Sequence, residues 1–438
     1  MGVFRQAVLV LTTAVLISFL PSFFRTSFPV PEIYGVVSPG FEEVAEVFRK
    51  NFELGWDKSE GGSAYAVYYK GEKVVDLWAG YADQEAKLLW KEDTLSLMFS
   101  TTKGLSALVI AMLADRGLID FKKPVKEYWP EFGQKGKEKI TVEMLMEHEA
   151  GLPVVYDGIT FDLLRDTEAL DRALALSEPL WEPGTAHGYH ALSIGLFASA
   201  LVRRVDPKNR TLGQFFAEEV ADVFGIDAFI GTPSDQYHRL SRPIHVQPSL
   251  LDNIHAFSTN RFYRYIFLTS LFQSPSFALL MDIMKNCGEV CEWERHVDPD
   301  IIRLELPAAN GVGTARGIAK LFGIMANGGE YDNKTLISRR FLDEYKYDKR
   351  ELTGDLVLWD MPIRWKYGMH VIPEVGQEMN LFGSAGLGGQ IGYADPNKKI
   401  GYGFVSRYLS PQGLAFIDPR SKYLQESVLR AVKKIENQ

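Results

Sequence analysis

The chain has 438 residues, 46% hydrophobic and 24% charged, so it is long and apolar enough for one large core or two fused lobes. Its 48 Lys and Arg against 56 Asp and Glu give a formal net charge of -8 without a basic stripe, which excludes an extended nucleic-acid groove. The two cysteines, Cys287 and Cys291, have C-x-x-x-C spacing and no histidines at zinc-finger distance. We therefore predict no metal site, and either free thiols or one local disulfide.

The N-terminal end of the chain contains a long uncharged stretch, from Gln6 to Phe24, flanked by Arg5 and Arg25. Its length reaches the roughly 17 to 25 residues that span a bilayer, and no Ala-x-Ala cleavage site follows it. We predict that residues 1–28 are a membrane segment. An uncleaved signal anchor and a removed signal peptide are the two alternatives.

Charge and glycosylation sequons bear on which side of the membrane the folded body lies. Because the flanking arginines balance, charge does not set the orientation of the membrane segment. Two Asn-x-Thr sequons, at Asn209 and Asn333, favour a single-pass protein with its body on the lumenal or extracellular side. A secreted protein and mitochondrial import, which the lack of any acidic residue before Glu32 permits, are the alternatives.

After the membrane segment, residues 29–40 are rich in Pro and Gly and are predicted to be a linker to a catalytic domain that covers 41–438. Residues 61–83 alternate β-forming side chains around Lys70-Gly71-Glu72, which predicts a β-hairpin. From about 121 to 310 the pattern is mostly helical periodicity broken by Pro and Gly turns. We interpret that region as an inserted helical lobe.

The last third of the chain returns to sheet and helix signals. Residues 313–329 predict a helix, and alternating residues around Asp395-Pro396-Asn397 predict a second hairpin before a closing amphipathic helix. Strands at both ends of the body with helices between them indicate an α/β (α+β) fold. Its antiparallel sheet would be flanked by helices and completed by the C-terminal third.

A candidate nucleophile lies in LSLMFSTTKGLSALVIAMLADRGLID, residues 95–120, which opens with small polar residues and becomes apolar. If the helix begins at about Ser100, the Lys103 amine reaches the Ser100 hydroxyl, since residues i and i+3 share a face. A lysine desolvated by apolar walls can lose its proton and accept that of the serine. The alternative is an ordinary capped helix with a surface lysine, because S-x-x-K is common by chance.

Two further segments support the catalytic interpretation. In WEPGTAHGYHALSIGLF, Tyr189 precedes a helix, and its phenol would relay the serine proton with a pKa lowered by a neighbouring lysine. In FGSAGLGGQIGYADP, small residues lead into a strand whose N–H groups would help to form an oxyanion hole. Taken alone, each segment also fits a packed turn or a glycine-rich hairpin.

Three rival motifs fail on spacing. His148-Glu149 begins like a zinc-protease helix, but Leu152 stands where the second histidine ligand is required. No G-x-S-x-G elbow of an α/β-hydrolase is present, and GVGTARG and GLGGQIG each miss the dinucleotide-binding fingerprint by one position.

In order and spacing, these three segments resemble the serine β-lactamase and penicillin-binding-protein superfamily, most closely class C β-lactamases and β-lactamase-like esterases. The resemblance runs from about residue 40 to 430 and includes the phrases FSTTKG, ITVEMLMEHEAGLP and TARGIAKLFGIMANGG. It implies the serine β-lactamase/DD-peptidase-like fold, with the site between two lobes. By position it implies Ser100 as the acylated nucleophile, Lys103 as its proton acceptor and Tyr189 as the base and proton relay.

The resemblance also implies an oxyanion hole made by the backbone N–H groups of Ser100 and Leu387, with Ser384, Gly386 and His190 facing the substrate. Two positions depart from the pattern. Ala191 stands where true β-lactamases have asparagine, and Ser384 where lysine or histidine usually faces the β-lactam carboxylate. Both losses indicate a neutral acyl substrate rather than an antibiotic.

We therefore predict an acyl-serine hydrolase, esterase-like or an amidase, that forms a covalent acyl-enzyme with a small-molecule ester or amide and uses no cofactor. A serine peptidase of the same mechanism is one alternative. A membrane-anchored, non-catalytic scaffold is the other. No nucleic-acid partner is expected, and the sequence does not indicate an oligomeric state.

Overall fold

A computed structural model describes residues 29–244, 257, 261–272, 274–346, 353–372, 380–410 and 418–437. The predicted membrane segment, residues 1–28, lies outside the described residues. Within the described residues, no single helix has the length and apolarity needed to cross a membrane. One pair bent by 81°, Arg264–Leu271 with Pro275–Val297, has that length and composition.

The body is built on one antiparallel sheet whose strands come from both ends of the chain. Among the described residues its eight strands are β1 (Ile33–Val37), β2 (Ser63–Tyr69), β3 (Glu72–Ala79), β4 (Trp365–Lys366), β5 (Met369–Ile372), β6 (Leu381–Gly386), β7 (Gln390–Asp395) and β8 (Ile400–Ser406). Their spatial order is β1-β3-β2-β8-β7-β6-β5-β4. The two predicted hairpins, β2–β3 and β7–β8, are confirmed, and β8 pairs with β2 to join the two ends of the chain.

The first strand corrects one prediction, because β1 lies inside the segment 29–40 that the sequence indicates as a linker. Gly35 gives the physical reason. Its φ is +115°, and a Cβ at that position would lie 2.0 Å from the carbonyl oxygen of Asp76. The glycine therefore permits a close strand pairing with β3 rather than a flexible connection.

Helices cover both faces of the sheet. The α-helices of eight residues or more in the described ranges are α1 (Glu42–Glu53), α2 (Thr102–Asp115), α3 (Thr167–Leu176), α4 (Ser193–Val205), α5 (Arg261–Leu271), α6 (Pro275–Cys287), α7 (Ala315–Ala326), α8 (Arg339–Lys346) and α9 (Pro419–Glu436). On one face, α1 and α9 pack together against the sheet. On the other face α7 packs against β8, β7 and β2, and α2 packs against β6 and the helices that follow it.

Helix α2 runs through the larger core and places the candidate nucleophile. Every residue from Thr102 to Leu113 is buried, as the apolar sequence on all sides of the helix predicts. A Cβ at Gly104 would lie 3.0 Å from the Phe322 ring and 3.2 Å from Cβ of Ser384. The start of α2 is therefore held tightly between α7 and β6.

Candidate active site

Ser100 lies on a single 3₁₀ turn, Phe99–Thr101, that leads into α2. Phe99 has a φ of +48°, a region that residues other than glycine rarely occupy, so the backbone bends sharply just before the candidate nucleophile. Gly386, at the end of β6, packs on this turn, and a Cβ there would lie 2.2 Å from the carbonyl oxygen of Met98. The glycine thus lets the end of β6 contact the turn that carries Ser100.

Three predicted side chains meet at the Ser100 hydroxyl. The Tyr189 hydroxyl donates a hydrogen bond to Ser100 Oγ at 2.6 Å, and Lys103 Nζ lies 3.1 Å from the same atom. Lys103 Nζ also lies 4.7 Å from the centre of the Tyr189 ring. The structure therefore brings the hydroxyl, amine and phenol, which are distant in sequence, within hydrogen-bonding range of one oxygen atom.

Lys103 is buried, and its amine contacts two backbone carbonyl oxygens, that of Ala191 at 2.6 Å and that of Ala308 at 2.9 Å. Burial lowers the pKa of Lys103 well below its ordinary value. A neutral amine has two N–H groups, which match the two carbonyls, and a lone pair that remains for the Ser100 proton. The environment of Lys103 suits a proton acceptor.

Tyr189 is fixed through its backbone and its ring. Its N–H donates to Asp355 Oδ1 at 3.0 Å, and its ring stacks on Trp365 with the centroids 5.6 Å apart. Burial raises the pKa of Tyr189, an effect that the hydrogen bond to Ser100 opposes. The lowered pKa that the sequence suggests for this phenol is therefore wrong. Because its pKa is raised, Tyr189 keeps its proton at neutral pH.

Asp355 positions Tyr189, and no sequence motif marks it. Its buried carboxylate accepts the Tyr189 N–H and two backbone N–H groups of its own turn, and it lies 3.3 Å from the Trp365 indole nitrogen. His187 lies 3.7 Å away. Burial raises the pKa of Asp355, whereas His187 and the N–H groups act in the opposite direction. The carboxylate thus ties the Tyr189 loop to the strand pair 353–363.

The structure does not bring His190 to the substrate side of the site, where the sequence analysis placed it. Its Nε2 accepts the Leu152 N–H at 2.8 Å, and its Nδ1 lies 2.6 Å from the Gly188 carbonyl oxygen. Burial lowers the pKa of His190 to about 3, so the ring is neutral with its proton on Nδ1. Because both ring nitrogens form hydrogen bonds with buried backbone groups, His190 stabilises the loop that carries Tyr189.

The glycine-rich segment FGSAGLGGQIGYADP contacts the backbone of the nucleophile. Ser384 Oγ donates to the carbonyl oxygen of Ser100 at 2.8 Å, so it contacts the nucleophile's backbone. Leu387 follows Gly386 and lines the cavity beside Ser100. The contact between Gly386 and the Ser100 turn brings the two expected oxyanion-hole residues, Ser100 and Leu387, to adjacent segments.

We expect Ser384→Ala to lower kcat about twofold to tenfold with little change in KM. The substitution removes one hydrogen bond to the Ser100 backbone, which contributes about 0.5–1.5 kcal/mol. Ser384 lines the cavity, and alanine changes its wall by one oxygen atom only. Steady-state kinetics on a soluble ester would measure the effect. Ser199→Ala is the matched control, because Ser199 is a buried serine on α4 whose hydroxyl accepts from Arg203. An unchanged kcat in Ser384→Ala would show that this hydrogen bond does not position Ser100.

A cavity of about 280 Å³ opens at Ser100. Most of its wall is apolar or aromatic, and prominent lining side chains are Leu192, Leu280, Met284, Leu358, Trp359 and Met361. Among the described residues that line it there is no lysine, arginine or carboxylate. Burial lowers the pKa of both lining histidines, His296 and, to about 3, His370, so they are neutral at pH 7. The described part of the wall therefore offers no cation to pair with a substrate carboxylate.

Part of this wall is held by a disulfide between Cys287, at the end of α6, and Cys291, which lines the cavity. The bond decides between the two alternatives that the cysteine spacing left open. It closes the short turn Gly288–Cys291 and so fixes the end of α6 beside the cavity.

The antiparallel sheet, with helices on both faces and a serine and lysine at the start of the buried helix, defines the β-lactamase and transpeptidase-like class of serine hydrolases. A family model described as Beta-lactamase matches residues 48–425. The chain therefore belongs to the β-lactamase family, within the serine β-lactamase and penicillin-binding-protein superfamily.

Individual relatives support this assignment. Esterase/beta-lactamase LipL of Mycobacterium tuberculosis is 35% identical over 383 residues, which cover 86% of this chain and 84% of that protein. A family VIII carboxylesterase structure is 34% identical, with a TM-score of 0.77 over 91% of this chain and 100% of that one. A penicillin-binding-protein homologue from Caulobacter crescentus is 30% identical, with a TM-score of 0.73 over the same shares. The predicted superfamily and fold are confirmed, and the chain is an esterase-like serine hydrolase.

Proposed function

We propose that the protein hydrolyses small neutral esters, and activated amides more slowly, through an acyl-enzyme on Ser100. The observation that carries the proposal is that the Tyr189 hydroxyl and the Lys103 amine lie 2.6 and 3.1 Å from Ser100 Oγ, at an apolar cavity. Relatives named as esterases support the same chemistry.

In the acylation step, Ser100 Oγ bonds to the ester carbonyl carbon while its proton passes to the neutral amine of Lys103. The carbonyl oxygens of Ala191 and Ala308 stabilise the resulting ammonium. The backbone N–H groups at 100 and 387 hold the negative charge on the substrate oxygen. Tyr189 gives its proton to the departing alkoxide and regains one from Lys103, so the alcohol leaves and Ser100 retains the acyl group.

In the second step a water molecule attacks the acyl carbon and gives a proton to Lys103. The bond between Ser100 Oγ and the carbonyl carbon breaks, and Tyr189 returns a proton to the serine oxygen while it receives one from Lys103. The products are a carboxylic acid and the free enzyme. The mechanism needs only the proton on Tyr189 and the lone pair on Lys103, which agrees with a raised pKa for the first and a lowered pKa for the second.

We expect a neutral acyl group to be strongly preferred over a charged one of similar size. The value of kcat/KM for p-nitrophenyl butyrate should exceed that for mono-p-nitrophenyl succinate by about 100-fold, since burying an unpaired carboxylate costs several kcal/mol. A chromogenic cephalosporin, which also carries a carboxylate, should be hydrolysed poorly. Preference for the succinate ester or the cephalosporin would contradict the assigned substrate class.

We also propose that residues 1–28 anchor the chain in a membrane with its body on the lumenal or extracellular side. The sequons at Asn209 and Asn333 support this, because both asparagine side chains are exposed. In a eukaryotic host, N-glycosidase should reduce the apparent mass, and Asn209→Gln with Asn333→Gln should abolish the shift. A chain with intact sequons that does not change mass would argue for a location without glycosylation.

A further inference from the structure

The pair of helices α5 and α6 ends in an exposed apolar surface. From Tyr265 to Met281 the sequence contains no Asp, Glu, Lys or Arg. Six large side chains of this stretch are exposed, and Tyr265 is one of them. The other five, with Leu271 at 62% and Phe272 at 78%, we call the apolar tip: Phe267, Leu268, Leu271, Phe272 and Met281. A group of exposed apolar side chains on neighbouring helical turns marks a contact surface.

Two neighbouring residues of α5, Tyr265 and Ile266, attach the tip to the body. The Tyr265 hydroxyl donates to the carbonyl oxygen of Trp359 at 2.6 Å, and Ile266 packs on the cluster around Trp359 and Trp365. At 3.6 residues per turn, Ile266 lies across the helix from Leu268 and Leu271. The side of α5 that carries Leu268 and Leu271 is therefore its outer side, opposite the side on which Ile266 packs.

Helix α6 connects the tip with the catalytic cavity. Leu280 and Met284 line the cavity, while Met281 belongs to the tip and Met284 is itself partly exposed. One helix thus presents apolar side chains both to the space beside Ser100 and to the exterior. An apolar substrate that reaches the tip would meet an apolar wall along its path to Ser100.

We propose that the apolar tip inserts into the surface of a lipid bilayer and that the cavity receives apolar esters from that bilayer. The second half rests on the proposed esterase function, whereas the insertion does not. The stretch carries no charged side chain that would have to leave water, so its exposed apolar side chains can be buried among lipid chains. The net charge of -8 gives no attraction to anionic lipid, so insertion of the tip supplies the contact.

The predicted membrane segment agrees with this partner. In the sequence, β1 starts at Ile33, five positions after residue 28, so an anchored chain would have its body near the bilayer. The tip lies beside the cluster of the 353–366 strands, whereas β1 is the other edge strand of the sheet. The tip would therefore be a second, separate contact that sets how the body lies on the bilayer.

Spin labelling tests the insertion directly. Since the disulfide occupies both cysteines, Phe272→Cys adds the single free thiol for a nitroxide. The full-length variant would be reconstituted in phosphatidylcholine vesicles, and power saturation would compare collisions with oxygen and with a water-soluble nickel chelate. The control is Leu54→Cys, an exposed leucine just after α1, which covers the other face of the sheet.

We expect the nitroxide at position 272 to collide more with oxygen, and the nitroxide at position 54 to collide more with the nickel chelate. The result should be the same in a Ser100→Ala background. Equal nickel access at the two positions would overturn the proposal. Spin–spin broadening at 272 would do so as well, because it would place a second copy of the chain on the tip. Since this measurement involves no hydrolysis, its outcome is independent of the proposed function.

Activity supplies a second test. In full-length protein we expect Phe272→Asp to lower hydrolysis of a long-chain ester embedded in vesicles about tenfold or more, while hydrolysis of soluble p-nitrophenyl butyrate stays unchanged. Leu54→Asp should change neither rate. An equal loss on both esters would show that Phe272 supports the fold or the cavity and would contradict a lipid contact.

Discussion

Ser100→Ala is expected to abolish ester hydrolysis, with kcat/KM reduced by roughly 10⁴-fold or more. Alanine leaves no oxygen at the point where the Tyr189 hydroxyl and the Lys103 amine meet, so no acyl bond can form there. The folded state should persist, because the substitution removes one hydroxyl from a turn that Gly386 and α2 already hold. Initial rates with p-nitrophenyl butyrate and a thermal unfolding curve would measure both effects.

A fluorophosphonate probe extends this test to the alternatives of a scaffold and a peptidase. The wild-type chain should be labelled at Ser100 and Ser100→Ala should not be labelled. Ser199→Ala, the buried serine on α4 with no contact to Ser100, should be labelled like the wild type. A folded wild-type chain that takes no label would favour the non-catalytic scaffold. Faster hydrolysis of terminal peptides than of neutral esters would favour the peptidase.

Lys103→Met is expected to lower kcat by roughly 10³-fold. Methionine keeps most of the buried volume but removes the lone pair that accepts the Ser100 proton. The matched control is Lys137→Met, because Lys137 is also a buried lysine whose amine contacts two carbonyl oxygens, at 2.9 and 2.6 Å, but it has no serine beside it. Burial also lowers the pKa of Lys137, to about 8. Full activity in Lys103→Met, or equal loss in both variants, would contradict the assigned role of Lys103.

The role of Lys103 also predicts how the activity and the stability of the wild type change with pH. Because the neutral amine is the active form, kcat/KM should fall as the pH drops through the lowered pKa of Lys103. Between that pKa and the ordinary value near 10.5, the unfolded chain binds one more proton than the folded chain, so stability rises with pH. We expect this contribution, about 1.4 kcal/mol per pH unit, to be lost in Lys103→Met. Identical pH slopes of unfolding free energy in the two proteins would show that Lys103 is not neutral in the fold.

The sequence predicts the central part of the site because the chemistry there depends on local spacing. Ser100 and Lys103 are one helical turn apart, so a motif of four residues fixes their geometry. Tyr189 is found because it begins a recognisable turn before α4. Residue type and order are sufficient to identify these three side chains, because the superfamily resemblance indicates how far apart their segments lie in the sequence.

Other features depend on tertiary packing, which no local pattern records. Asp355 acts through the backbone of a residue 166 positions away, and its surroundings in sequence contain no motif. His190 is adjacent to Tyr189 in sequence but faces Leu152 and Gly188, because buried N–H and C=O groups there require a partner. Composition also misplaces β1, since glycine is typical of linkers as well as of tightly paired edge strands.

For the apolar tip, the sequence shows the apolar stretch but not whether it is exposed. The absence of charge between Tyr265 and Met281 is visible in the sequence, where it suggests a buried helix as readily as an exposed one. Only the packing of Ile266 on the cluster around Trp359 and Trp365 establishes which side of α5 is inward. The surface that remains is outward, and that fact leads to the lipid proposal.

The central claim is that Ser100 carries the acyl group during turnover, and trapping this intermediate tests it most directly. Full-length enzyme would be mixed with excess p-nitrophenyl butyrate, quenched in acid within the first turnovers and digested for peptide mass mapping. The account predicts a mass increase equal to one butyryl group on the peptide that contains Ser100, and none in Ser100→Ala. Turnover with the acyl group on another residue, or a Ser100→Ala protein that still accumulates a butyryl-enzyme, would contradict it.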